Sequence, residues 1–137
     1  MKFNTVLLPT DFSSHADAGC AAGIAMAQRD GAKVIALHVL PLSDLVMGEY
    51  PITMVDQLQA ELMGDAEQRM QRWKDQQAMA IETLVVWGNP ALDICRIAEE
   101  RKADLIVTST HGRTGLAHLV MGSVAEQVLR RVDIPVL

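Results

Sequence analysis

Residues 105–126 read LIVTSTHGRTGLAHLVMGSVAE. The stretch opens on three apolar residues, 105–107, that are typical of a buried strand. A loop with glycines follows, and we expect a new helix from Ser123, because Ser123 and Glu126 form the S-x-x-E pattern of a capping box. A strand end, a glycine-containing loop and a helix N-terminus together form a site that favours an anion such as phosphate.

Outward from this stretch, short apolar segments alternate with helical patterns. Predicted strands cover residues 5–8, 34–40, 81–87, 104–108 and 134–137, and predicted helices cover residues 15–29, 54–77, 90–101 and 123–131. Residues 41–53 carry two prolines and a glycine and are predicted to be a loop. The alternation predicts an α/β fold, a five-stranded parallel, doubly wound sheet in the order 3-2-1-4-5 with helices on both faces.

The ligand site of such a sheet lies beyond the carboxyl ends of the strands, where the strand order reverses. Strands 1 and 4 are the expected neighbours at that point. Pro9, Thr10 and Asp11 would then face residues 109–123 across one crevice. Asp11 can serve as a ligand-binding carboxylate or as a cap of the first helix, and the sequence leaves both roles open.

The loop after strand 4 brings several ligand-binding groups together. Gly112 and Gly122 lack a Cβ atom, so a ligand can approach their backbone N–H groups. Arg113 adds a cation and His111 a hydrogen-bond donor. His111 has no evident partner to orient it as an acid or base, so we assign no catalytic residue. His38 lies inside an apolar strand and is expected to be a hydrogen-bonded core residue.

Composition excludes several classes of function. With 137 residues, 50% of them hydrophobic, the chain is long enough for one packed domain, expected to span residues 1–137. Its net charge is −5 with scattered Lys and Arg, which argues against a nucleic-acid partner.

No apolar run reaches the ~20 residues that span a membrane, and the sequence shows no secretory signal, so we expect a cytoplasmic protein. Cys20 and Cys95 are expected to be buried thiols.

Over essentially its whole length the chain resembles a universal stress protein of the small single-domain kind. The family's nucleotide-binding version carries Gly, two residues, Gly, nine residues, Gly, then Ser or Thr. The matching positions here are Ser109, Gly112, Gly122 and Ser123. Three of these four match, and Ser109 replaces the first glycine. The family also carries Pro-Thr-Asp after the first strand, matched by residues 9–11, and a valine at the end of the second.

The resemblance implies an adenine-nucleotide alpha-hydrolase-like fold that binds ATP, in such proteins often with Mg²⁺ or Mn²⁺. It implies that Asp11 and Val39 contact the adenosine part, and that any metal is reached through the nucleotide, with Asp11 as the one candidate protein ligand. The implied nucleotide-binding residues are Pro9, Thr10, Asp11, Val39, Thr108, Ser109, His111, Gly112, Arg113, Gly122, Ser123 and Val124. It also implies a homodimer in which the fifth strands of two protomers meet.

Three functions remain open at this point. The first is a stress-response regulatory protein that binds ATP. The second is a dimeric interaction module of the same family without nucleotide, which Ser109 favours, because a serine costs roughly 1 kcal/mol where the backbone needs a positive φ. If the family's glycine only leaves room for the ribose, the Ser109 hydroxyl can instead hydrogen-bond that sugar. The third is a slow ATP hydrolase that uses Asp11 and a metal.

Overall fold

The computed structural model describes residues 1–46, 51–110 and 122–137. Its strands are β1 Thr5–Pro9, β2 Lys33–Pro41, β3 Glu82–Gly88 and β4 Leu105–Ile106. Its helices are α1 Ser14–Asp30, α2 Ser43–Val46, α3 Ile52–Asp75, α4 Pro90–Glu100 and α5 Ser123–Arg131. The order of strands and helices therefore follows the predicted alternation, apart from α2 and the C-terminal segment.

The prediction of a loop over residues 41–53 was wrong in part. Residues 43–46 form the short helix α2, and the backbone N–H of Leu45 donates to the carbonyl of Leu42, just before that helix, at 3.1 Å. The longer helix α3 begins directly after Pro51, whose carbonyl accepts from the N–H of Met54 at 2.8 Å. Proline fits this position because the N–H groups of a first helical turn need no intrahelical acceptor.

The strands form a parallel sheet in which the described order is β3-β2-β1-β4. Leu7 of β1 is in register with Ile35 of β2 on one side and with Ile106 of β4 on the other. The prediction that strands 1 and 4 are neighbours is confirmed. Residues 6–8 of β1 are fully buried, which is why this strand is apolar without alternation.

The fifth strand of the predicted order is not formed as a strand in the described residues. The C-terminal segment instead lies beside β4 through one parallel bridge between Ile106 and Val136. The N–H of Ile106 donates to the carbonyl of Pro135 at 3.0 Å, and the N–H of Leu137 donates to the carbonyl of Ile106 at 2.8 Å. Pro135 has no N–H to add to the ladder, which limits regular pairing at this edge.

Helices cover both faces of the sheet, as predicted. Alternate residues of β2 point to opposite sides, so that Val34 and Ala36 pack with α1 and α3, whereas Ile35 and Leu37 pack with α4 and α5. The small residues of α1 let this helix lie close to the sheet. A Cβ atom added at Gly23 would lie 2.3 Å from Cδ2 of Leu8.

At the amino-terminal edge of the sheet, Asp104 ties β1 to the start of β4. Its carboxylate accepts from the backbone N–H of Asn4 at 2.8 Å and of Thr5 at 2.9 Å. Burial acts to raise the pKa of Asp104, but these hydrogen bonds outweigh it and hold that pKa below its usual range.

In the described part of the chain, no helix is long and apolar enough to cross a bilayer.

Candidate functional site

A cavity of about 320 Å³ lies at the carboxyl ends of β1, β2 and β4. Every predicted site residue that the structure describes lines it: Pro9, Thr10, Asp11, Val39, Thr108, Ser109, Gly122, Ser123 and Val124. The other three predicted residues, His111, Gly112 and Arg113, lie outside the described residues. Strand order alone therefore located this crevice, since the segments after β1 and β4 meet where the order reverses.

The segment between β1 and α1 is held in a tight double turn. The N–H of Thr10 donates to the carbonyl of Leu37 at 2.8 Å, which continues the pairing of β1 with β2. The hydroxyl Oγ1 of Thr10 accepts from the N–H of Phe12 at 3.0 Å, and Oδ1 of Asp11 accepts from the N–H of Ser13 at 2.9 Å. These bonds fix the Asp11 carboxylate at the wall of the cavity.

The helix that follows is capped by Ser13, not by Asp11. Oγ of Ser13 accepts from the N–H of Ala16 at 3.2 Å, and Ser13 has the extended backbone of an N-cap residue. Of the two roles that the sequence left open for Asp11, the capping role therefore belongs to Ser13. Asp11 instead makes the turn before the cap and lines the cavity.

His38 is buried, as predicted, and it also lines the cavity. Its Nδ1 lies 2.7 Å from the carbonyl oxygen of Thr10. Because a carbonyl only accepts, Nδ1 carries the proton and the imidazole donates to Thr10. The imidazole also packs against the ring of Phe12, with 4.6 Å between ring centroids. His38 is thus both a core residue and a support of the Thr10 backbone.

The apolar wall of the cavity was missed by sequence reasoning, except for Val39. It comes from the ends of β2 and the beginning of α4: Leu37, Pro41, Pro90 and Ile94. The signal was present, because β2 neighbours β1 and its carboxyl end opens on the same crevice. Asn89 caps α4, with Oδ1 accepting from the N–H of Leu92 at 3.0 Å.

The N-terminus of α5 forms the opposite wall, but the expected capping box is wrong. Gly122 is the N-cap residue, Ser123 is the first helical residue, and no side-chain cap bond forms. The carboxylate of Glu126 binds the guanidinium of Arg130 at 2.6 Å instead of reaching back to the cap. The N–H of Gly122 donates to the carbonyl of Thr110 at 2.5 Å, which joins the segment after β4 to the start of the helix.

This helix end is suited to an anion because the first-turn N–H groups of a helix lack intrahelical acceptors and carry the positive end of its dipole. Gly122, Ser123 and Val124 place that turn on the cavity wall. The Ser123 side chain is exposed, so its hydroxyl is accessible from solvent. With Asp11 across the cavity, the site has an anionic side and a side that attracts anions.

Ser109 adopts an ordinary backbone conformation. Of the described residues other than glycine, Phe12 and Lys102 have a positive φ, and Ser109 does not. The strain considered for a serine at this position is therefore absent. Helix α1 passes close to it, because a Cβ atom added at Gly19 would lie 3.5 Å from the Ser109 nitrogen, an ordinary contact distance.

Neither cysteine has the environment of a reactive thiol. Cys20 is 2% exposed, and burial, together with the charge of Asp17, raises the pKa of its thiol to about 12. Burial also raises the pKa of Cys95, which is half-buried rather than buried as expected. Within residues 1–46, 51–110 and 122–137, no group of three His, Cys, Asp or Glu side chains could hold a metal ion.

A second cavity, of about 360 Å³, lies between the C-terminal ends of α4 and α5. It is lined by exposed charged side chains, including Lys102 and Arg131, and by the half-buried Cys95 and Ile134. It is slightly larger than the first cavity, but it lies away from the carboxyl ends of the strands. We therefore place the candidate site in the first cavity.

A model of the universal stress protein family matches residues 2–137. The chain belongs to the universal stress protein family. Its relatives within the family include universal stress protein MJ0531 of Methanocaldococcus jannaschii, 32% identical over 98% of this chain and 81% of the relative. A universal stress protein of Thermus aquaticus is also 32% identical, over 98% of this chain and 97% of the relative.

Solved structures of other universal stress proteins and related chains share the fold. The structure of MJ0577 is 28% identical and has a TM-score of 0.88, covering 100% of this chain and 95% of that one. A universal stress protein in complex with cAMP is 26% identical, with a TM-score of 0.65 over 100% of this chain and 96% of that one. UspA of Lactobacillus plantarum supports the fold alone, because it is only 21% identical. Its TM-score is 0.84, and the match covers 100% of this chain and 97% of that one.

Proposed function

We propose that this member of the stress-response family binds an adenine nucleotide, ATP, in the first cavity. The observation that carries the proposal is the pairing of an apolar wall with a helix N-terminus around one cavity of about 320 Å³. That volume falls within the range of ~300–1,000 Å³ typical of small-molecule sites. The related universal stress protein in complex with cAMP adds support, because cAMP is itself an adenine nucleotide.

The two walls suit the two ends of a nucleotide. Leu37 and Val39 offer an apolar surface for the adenine base, and the Asp11 carboxylate accepts hydrogen bonds from the ribose hydroxyls. The phosphates lie against the N–H groups at the start of α5, at Gly122 and Ser123. His111, Gly112 and Arg113 belong to the same proposal as further contacts to the phosphates.

A divalent ion is expected to arrive with the nucleotide. Mg²⁺ is usually held by one or two carboxylates together with substrate phosphates, rather than by a cage of protein ligands. Asp11 is the carboxylate on the described wall of the cavity, and it fits that limited role. We therefore propose Mg²⁺ or Mn²⁺ as a companion of ATP, with Asp11 as the protein group nearest to it.

Isothermal titration with Mg²⁺ and ATP tests the proposal. We expect saturable binding to the wild type and at least about tenfold weaker binding to Asp11→Asn, because a hydrogen bond to a charged group contributes ~1.5–3 kcal/mol. Asp17→Asn is the matched control, since Asp17 is an exposed carboxylate in the first turn of α1 that does not line the cavity. Absence of heat up to millimolar ATP would refute the proposal.

A second candidate is an interaction module of the family that binds no nucleotide. Ser109 favours it, because this side chain lines the cavity where the family's nucleotide-binding version has a glycine. Ser109→Gly separates the two candidates. If ATP binds only to the variant, the second candidate is correct, whereas equal binding to both proteins supports the first.

We further propose that residues 1–137 form one domain of a cytoplasmic homodimer, joined along the C-terminal segment. Ile106 uses both its N–H and its carbonyl to bind the residues on either side of Val136, so the backbone groups of Val136 point away from β4. An edge of this kind can pair with a second chain. Light scattering at micromolar concentration is expected to give twice the 15.0 kDa of the chain. A monomer mass would contradict the dimer.

A further inference from the structure

Phe12 has a backbone conformation that bulky residues rarely adopt. Its φ is +63°, in the left-handed region, and it directly follows Asp11 at the cavity wall. An aromatic residue stays in this region only when its surroundings hold it there. The groups that hold Phe12 therefore also determine the direction in which the chain presents Asp11.

Phe12 is contacted by its own turn, by β2 and by α3. Its N–H donates to Oγ1 of Thr10 at 3.0 Å. The Phe12 ring also packs against the imidazole of His38 in β2, with 4.6 Å between the two ring centroids and an angle of 43° between the ring planes. The guanidinium carbon of Arg69, from α3, lies 4.9 Å from the Phe12 centroid, within the distance of a cation–π interaction.

The His38 contact returns to the same turn. The imidazole donates from Nδ1 to the carbonyl of Thr10 at 2.7 Å, so His38 supports both the residue before Asp11 and the ring after it. His38 is 3% exposed and belongs to a central strand, which makes it a rigid support. Arg69, by contrast, is an exposed side chain and does not line the cavity.

We propose that Arg69 is a positioning residue for the nucleotide site, acting through Phe12 on the turn that carries Asp11. The proposal rests on the proposed function for its effect on affinity, but its structural part does not. Arg69 makes no ion pair within the described residues, so its contact with the Phe12 ring is the interaction to test. Helix α3 is thereby linked to a site that it does not line.

The test measures ATP and adenosine affinity of Arg69→Ala, with Arg72→Ala as control. Arg72 is an exposed cation one turn further along α3, and the two variants remove the same charge. Loss of a surface cation–π contact predicts about two- to fivefold weaker binding of both ligands to Arg69→Ala. Arg72→Ala is expected to bind as the wild type does, and Arg69→Lys to recover part of the loss.

Phe12→Leu supplies the second readout, because leucine keeps an apolar side chain but has no ring face. In that background the effect of Arg69→Ala on affinity should disappear, which a double-mutant cycle measures. If Arg69→Ala weakens ATP but not adenosine, the residue acts only through its charge and the proposal is wrong. Unchanged affinity for both ligands would also overturn it.

Amide hydrogen exchange separates this inference from the proposed function. The N–H groups of Phe12 and Ser13 donate to Thr10 and Asp11, so they report on the turn itself. We expect both to exchange faster in Arg69→Ala than in Arg72→Ala, with or without nucleotide binding. If the wild type binds neither ligand, the proposed function fails, and faster exchange still supports the positioning role. Equal exchange in the two variants would overturn it.

Discussion

Replacing Gly23 by alanine tests how closely α1 lies on the sheet. The added Cβ atom would lie 2.3 Å from Cδ2 of Leu8 and 3.3 Å from two atoms of Val107. Leu8 and Val107 are 0% and 2% exposed, so the end of the Leu8 side chain would have to shift within the packed core to make room. Overpacking of this kind costs typically ~1–3 kcal/mol. Alanine also favours the helix over glycine by ~1 kcal/mol, which offsets part of that cost.

Gly64→Ala isolates the helix-propensity contribution. Gly64 lies in the interior of α3, and nothing lies within 4 Å of the Cβ atom that alanine would add. We expect Gly64→Ala to raise the free energy of unfolding by ~1 kcal/mol. The free energy of unfolding of Gly23→Ala should be lower than that of Gly64→Ala by the overpacking cost alone, ~1–3 kcal/mol. Gly19→Ala should behave like Gly64→Ala, because its added Cβ would meet only ordinary contacts.

Guanidinium chloride unfolding of the three variants and the wild type gives these differences directly. The residues directly after Leu8 and Val107, namely Pro9 and Thr108, line the cavity, so Gly23→Ala should also weaken ATP binding. If Gly23→Ala stabilises the protein as much as Gly64→Ala does, α1 does not lie as close to the sheet as described. Close packing of α1 on the sheet would then not shape the site.

Three further predictions concern single side chains. Hydrogen bonds from the side chain of Arg29 and the backbone N–H of Phe3 lower the pKa of Asp30 from 3.8 to about 2. The stabilisation by this carboxylate is therefore complete above pH ~4 and is lost as the pH falls towards 2. In pH-dependent unfolding, the free energy of unfolding of Asp30→Asn should lie below that of the wild type above pH ~4, and this difference should shrink as the pH falls towards 2. Asn89→Ala removes the side-chain cap of α4 and should lower the free energy of unfolding by ~1 kcal/mol in the same assay. Asn89→Asp should retain most of that stability, because aspartate is also a favourable N-cap residue. Burial raises the pKa of Cys20 to about 12, so this thiol should be unreactive in the folded protein. In a Cys95→Ser protein, Ellman's reagent at pH 8 should label Cys20 only after unfolding. Rapid labelling of the native protein would contradict the burial of Cys20.

Most of the sheet could be predicted because its signals are local and redundant. Runs such as residues 6–8 are apolar on both faces, and Gly31, at φ +69°, ends α1 as its sequence position indicates. Topology rules then placed β1 beside β4 and brought Asp11 to the same cavity as Ser109 and Ser123. The positions of residues 9–11 and of the start of α5 at one cavity followed from that placement, whereas the apolar wall around Leu37, Pro90 and Ile94 did not.

The capping error at α5 arose where two neighbouring residues compete for one role. Helix α5 begins at Ser123 as predicted, but Gly122 rather than Ser123 occupies its N-cap position, and the N–H of Gly122 closes onto the carbonyl of Thr110. Local patterns could not weigh that closure against a capping box. The support of Asp11 by Phe12 was likewise hidden, since it depends on Arg69, which is far away in sequence.

An ATP titration of the isotope-labelled protein in the presence of Mg²⁺, monitored by NMR amide shifts, tests most directly whether the first cavity binds the nucleotide. Saturable shifts are expected at Asp11 and Val39 on one wall, and at Gly122, Ser123 and Val124 on the other. The described residues around the second cavity, such as Cys95, should stay unshifted. No shift up to millimolar ATP, or shifts confined to that second cavity, would contradict a nucleotide site at the carboxyl ends of β1 and β4.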